Sequence, residues 1–97
     1  MTTNETSSYV YQNLLVLGLQ VGVEIERRQI YGIVEAMLIQ DVATAEAIVA
    51  HKQGKGYSPV QKTLELMEEN GYLKKVDNGR PFTQYMLMEV EEMKEAA

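Results

Sequence analysis

Residues 57–75 read YSPVQKTLELMEENGYLKK, and the way this stretch folds decides the architecture. Ser58 followed by Pro59 is a helix start. The serine hydroxyl can accept from an open N–H of the first turn, and a proline at the first helical position gives up only an N–H that has no helical partner. Gln61, three residues after Ser58, completes the pattern of a capping box. Val60, Leu64 and Met67 recur at helical spacing as a buried stripe, which leaves Gln61, Lys62, Glu65, Glu68 and Glu69 towards water. Asn70-Gly71 is a stop signal, because glycine takes up the left-handed backbone that closes helices. Beyond it "YLKKV", "DNGRP" and "FTQYMLM" predict strand, turn and strand, a β-hairpin over 72–88. Pro81 fits such a hairpin only at a strand start or an edge.

Upstream, "GKG" at 54–56 ends a short helix, "TAEAIVAHKQ", in which Ala45, Ile48 and Val49 are expected to point inward. Asp41 and Thr44 are its two candidate caps. Residues 25–40, IERRQIYGIVEAMLIQ, predict a helix with Ile30, Ile33, Val34, Met37 and Leu38 on one face and Arg27, Arg28 and Glu35 towards water. From Tyr9 the chain turns apolar, and Val10, Leu14, Leu17 and Val21 fall at helical spacing, with Tyr11 and Leu15 beside them. A helix over 9–23, capped by Ser7 or Ser8, is the expectation, although Gly18, Gly22 and the run from Val16 to Val23 also suit a strand. The polar residues 1–8 are expected to be disordered. "EVEEMKEAA" predicts a closing helix with Val90 and Met93 on one side.

Ninety-seven residues suit one domain, expected over 9–97, with a small core and modest stability. Cysteine is absent, which excludes disulfides and thiolate metal sites. "MTTNETSS" has no positive charge and does not resemble a signal peptide. The apolar stretch that follows is broken by Gln12, Asn13 and Gln20 and falls short of the roughly 20 residues a membrane span needs. A cytoplasmic protein with no membrane partner is expected. The net charge of −5 is unevenly spread: residues 1–50 are net −4, residues 51–85 net +2 and residues 86–97 net −3. Screening limits the reach of a surface charge to about 8–10 Å near physiological salt, so a local basic field can attract phosphate on an acidic molecule.

Enzyme chemistry has no foothold. "GKG" lacks the spacing of a phosphate-binding loop, and one histidine, His51, supports no nucleophile–base set. His51 has no acidic or cysteine partner at metal-ligand spacing, so turn packing accounts for it. No cofactor or metal is expected, and the six methionines suit adaptable packing.

In its order of elements the chain resembles the winged helix-turn-helix superfamily of small bacterial and viral transcription regulators, over roughly residues 25–88. The residues that carry the resemblance are SPVQKTLELMEENGYLKKVDNGRPFTQYML, 58–87. They look like the family's third helix, its step into the first wing strand, a basic wing tip and a return strand. Ala50, Gly54 and Val60 match the helix-turn-helix pattern, whereas Thr63 stands where an aliphatic is usual and Gln53 is more polar than that pattern prefers. The resemblance implies a mainly α fold with a β-hairpin, a winged helix-turn-helix with extra N-terminal and C-terminal helices. The helix-turn-helix would span 44–70 and the wing 72–88.

It further implies a homodimeric regulator of double-stranded DNA. Its recognition helix would start at Ser58, with Gln61 reading a base edge and Lys62 a guanine or a phosphate. Lys52 and Lys55 would flank the turn near the backbone. Lys74, Lys75 and Arg80 would line the wing, though neighbouring lysines on a strand point to opposite faces. Ser58 would donate to a phosphate only if capping leaves its hydroxyl free. The segment 9–23 is the expected dimer element, through Tyr9, Val10, Leu14, Leu17 and Val21. Glu65, Glu68 and Glu69 weigh against deep insertion into a groove. The alternative is an acidic winged-helix module, a small phage or plasmid factor whose partner is another protein rather than DNA.

Overall fold

The computed structural model describes residues 3–77, 79 and 83–90. The chain is mainly helical, with a small three-stranded antiparallel sheet. In order it forms α1 (Thr3–Val16), β1 (Glu24–Glu26), α2 (Arg27–Leu38), α3 (Val42–Lys52), α4 (Pro59–Glu69), β2 (Leu73–Val76) and β3 (Gln84–Leu87).

Helix α4 begins and ends where its local signals place it. Ser58 is the cap, its hydroxyl accepting from the Gln61 N–H at 3.1 Å. At the other end the Gly71 N–H reaches back to the Glu68 carbonyl at 3.2 Å and the Tyr72 N–H to the Met67 carbonyl at 2.9 Å. Gly71 has φ +81°, a backbone that side chains rarely adopt. Helices α3 and α1 close in the same pattern: the Lys55 N–H bonds to Ala50 at 2.8 Å, and the Leu19 N–H to Leu14 at 3.1 Å. Val60, Leu64 and Met67 are buried as expected. Thr63 joins them, its hydroxyl donating to the Pro59 carbonyl at 2.9 Å, so a polar residue takes an aliphatic's place with no unmet bond.

The N-terminal third differs from expectation. Helix α1 starts at Thr3, inside the stretch expected to be disordered, and stops at Val16 rather than continuing to residue 23. Ser7 is an interior helical residue, not a cap. It is fully buried and accepts from the Asn70 side chain at 3.1 Å, which fastens the polar start of α1 to the end of α4. After Gly22 the chain forms a strand, where residues 25 and 26 were expected to be helical. Ile25 is buried between exposed Glu24 and Glu26, a period-2 pattern too short to stand out from the helix that follows. Asp41, rather than Thr44, caps α3, accepting from the Thr44 N–H at 2.9 Å and its hydroxyl at 2.8 Å. These two bonds, the hydroxyl's first, hold the Asp41 carboxyl below its ordinary range. Within α3, Ile48 points inward but Val49 is 55% exposed, against expectation.

Strand β3 is central, with β1 and β2 on either side. Ile25 faces Tyr85 across one pair, and Leu73 faces Leu87 across the other. The hairpin tip at residues 78 and 80–82, including Arg80 and Pro81, lies outside the described residues, as does most of the expected closing helix. Of that segment, residues 89 and 90 are described and are not helical. One core joins all the layers: Val10, Tyr11 and Leu14 of α1, Ile30 and Val34 of α2, Ile48, the α4 stripe, and Tyr72, Leu73, Tyr85 and Leu87. Fully burying one such side chain contributes about 1.5–3 kcal/mol. The rings of Tyr11 and Tyr72 meet at 5.0 Å, and the Tyr11 hydroxyl donates to the Met88 carbonyl. Burial, with Glu89 adding to it, raises the Tyr11 hydroxyl above its ordinary pKa.

Candidate functional site

The half-buried start of α4 gathers side chains from two helices. Ser58 caps the helix, and its hydroxyl oxygen also lies 2.6 Å from the Tyr31 hydroxyl of α2. The reciprocal half of the capping box does not form. Instead of returning to Ser58, the Gln61 amide oxygen accepts from the Arg27 guanidinium, and its nitrogen donates to a Glu65 carboxylate oxygen at 3.2 Å. Arg27 also lies 4.9 Å from the centroid of the Tyr31 ring, within cation–π range. Arg27 is therefore half-buried rather than turned to water. The Lys62 ammonium stands 5.8 Å from the ring centroid of exposed Tyr57. Among the described residues no carboxylate pairs with Arg27 or Lys62.

Ser58 and Gln61 share this network, Lys62 stands apart from it over Tyr57, and the other expected contacts are placed differently. Lys52 is bound by Glu35 of α2 at 2.9 Å, which offsets the charge expected to meet a backbone phosphate. Lys55 is exposed in the glycine turn, and Lys74 and Lys75 are exposed on β2 opposite Met86 and Tyr85. Further along α4, Glu69 is exposed, while Glu68 has one carboxylate oxygen shielded from water with no hydrogen-bond partner. His51 bridges the turn, its Nδ1 lying 3.2 Å from the Gly56 carbonyl. Sequence reasoning missed Arg27 and Tyr31. Their i, i+4 spacing would have paired them, had the helix been known to begin at Arg27.

The expected dimer residues divide. Val10 and Leu14 are fully buried in the chain's own core, so they are not available to a second copy; they belong to the inward stripe of α1 with Ser7 and Tyr11. Tyr9, Leu17 and Val21 are 49%, 62% and 43% exposed. Tyr9 and Leu17, with Asn13 and Val16, form one wall of an open groove of about 720 Å³, whose other wall is α2 with Gly32, Ile33 and Met37. Among the described residues no charged side chain lines it.

Among the described residues no cluster of His, Asp and Glu could hold a metal ion, and no helix is long and apolar enough to cross a membrane. Comparison with protein-family models, with curated proteins and with solved structures gave no match.

Proposed function

We propose that this chain is a winged helix-turn-helix regulator that binds double-stranded DNA as a homodimer, with α3 and α4 as the helix-turn-helix and β2–β3 as the wing. The observation that carries the reading is the Arg27–Gln61 pair at the half-buried start of α4, with exposed Lys62 next to it in sequence. Among the described residues neither Arg27 nor Lys62 has a carboxylate partner, and the amide that Arg27 holds can read a base edge. The remaining acids of the helix, Glu68 and Glu69, lie in its last turn, where a helix leaving a groove would carry them away from phosphates. A single module of this kind buries only about 600–1,000 Å² on DNA, so two copies are needed for useful specificity. The uncharged α1–α2 groove is where two molecules of net −5 can meet at least electrostatic cost.

A second reading, a module that binds another protein, is favoured by that same groove, whose exposed Val16 and Leu17 suit any apolar partner. Retention of source-genome fragments at graded salt separates the two. With about four phosphate contacts per copy, and so about eight per dimer, affinity should fall roughly 10,000-fold between about 50 and 200 mM salt. Lys62→Ala and Arg27→Ala should each weaken retention and flatten that salt dependence. Absence of retention at low salt would refute the DNA reading and leave the groove as the functional surface.

A further inference from the structure

The amide of Gln61 is held at both ends by groups of opposite kind. Arg27 can only donate, and it takes the amide oxygen; the Glu65 carboxylate can only accept, and it takes the amide nitrogen. An amide between two such neighbours has one orientation, because turning it over would set donor against donor and acceptor against acceptor. The clamp is held from behind. Arg27 rests on the Tyr31 ring, Tyr31 shares a hydrogen bond with Ser58, and Ser58 caps the helix that carries Gln61 and Glu65. The loop of contacts therefore ties α2 to the start of α4 through four side chains.

A primary amide has two lone pairs on oxygen and two hydrogens on nitrogen. The clamp uses one of each. What remains is one acceptor and one donor, the pair that adenine engages through its N6 amino group and N7. We infer that Arg27 and Glu65 are positioning residues that fix Gln61 as a pre-oriented reader of adenine. This rests on the DNA-binding reading above and deepens it. It also gives Glu65 a place in that reading, as the group that sets the direction of the amide rather than as an acid misplaced near phosphate. A long side chain ordered before the encounter loses less freedom when it binds, so its hydrogen bonds contribute more to discrimination.

Two measurements test the inference together. The first is side-chain amide NMR of the free protein. The Gln61 NH2 group should be as ordered as the backbone, exposed Gln53 should be mobile, and Arg27→Ala should release Gln61. A Gln61 amide as mobile as that of Gln53 overturns the clamp, whether or not the protein binds DNA. The second is selection from a randomised duplex library with the wild type, Gln61→Ala and Glu65→Ala. The wild type should favour adenine at one position per half-site by roughly 5- to 150-fold, and Gln61→Ala should lose that preference.

Glu65→Ala is the decisive variant, because it removes an exposed side chain and leaves the core untouched. It should bind all sequences more tightly, having lost a negative charge, yet discriminate adenine less. Tighter binding with an unchanged base profile would make Glu65 a mere repulsive charge and overturn its positioning role. Retained DNA with the same profile in Gln61→Ala overturns the adenine assignment alone. Recovery of no duplex by any protein overturns the assignment together with the DNA reading.

Discussion

The start of α4 and the groove between α1 and α2 both face solvent, and they are built from different materials. At the first, one guanidinium, an amide, two hydroxyls and a carboxylate are linked to one another before any partner arrives. At the second, tyrosine, valine, leucine, isoleucine and methionine are rimmed by amides, with no charge among the described residues. Anchored polar groups discriminate by the direction of their hydrogen bonds, and a partner that fails to match leaves them unpaired at a cost. An apolar groove selects by shape alone and tolerates more. Helix α1 and the residue after it divide between core and groove within a few positions. Ser7, Val10, Tyr11 and Leu14 face the core, while Tyr9, Asn13, Val16 and Leu17 face the groove.

The largest effect should come from crossing the boundary between the core face of α1 and the groove. Leu14→Ala should lower the unfolding free energy by about 2–5 kcal/mol, read as an earlier urea midpoint. Leu17→Glu, three positions away, should leave the midpoint nearly unchanged but shift sedimentation from dimer to monomer. If it leaves sedimentation unchanged as well, the groove is not the self-interface and the comparison loses one arm. At the start of α4, Ser58→Ala should cost about 1–2 kcal/mol, within the range for lost helix caps, whereas Ser8→Ala, at a half-buried position inside α1 that caps no helix, should cost much less. Equal effects of the two serines would mean that the α4 network is no better ordered than ordinary surface.

The smallest effect concerns pH. The folded Asp41 carboxyl titrates below its ordinary value, so its contribution is present above about pH 3.8 and is lost as pH falls through the folded value. Asp41→Asn keeps a capping oxygen without the charge, and its acid unfolding should start from lower stability and fall less steeply with pH. An acid profile identical to that of the wild type would show that Asp41 does not contribute.

The contrast also explains what the sequence made legible. Helix α4 was readable because its signals are local: Ser58-Pro59 opens it, Asn70-Gly71 closes it, and the Val60, Leu64 and Met67 stripe lies between. Strand β1 was not, because three residues preceding a helix carry no pattern of their own and their partner is a distant strand. The helical start of α1 was hidden for a similar reason, since Ser7 and the polar residues around it are ordered by packing on α4 rather than by apolar spacing. At the site, Ser58 as a cap was legible and the Gln61 clamp was not. The capping pattern pointed Gln61 back to Ser58, while its actual partner, Arg27, lies 34 residues away.

Strand β3 has a consequence for the order in which the chain takes shape as it is made. Every neighbour in the sheet depends on it, and its last residue, Leu87, also accepts from the Gly22 N–H at 3.0 Å. Strand β1 leaves the ribosome about 60 residues before its partner is complete, an interval of roughly 3–12 s at bacterial to eukaryotic rates of synthesis. Throughout that time Ile25 and the edge of β1 have nothing to pair with, while the helices between can already form their own turns. The nascent chain is thus helical early and closed late, and the step that seals it is the arrival of four residues, Gln84 to Leu87.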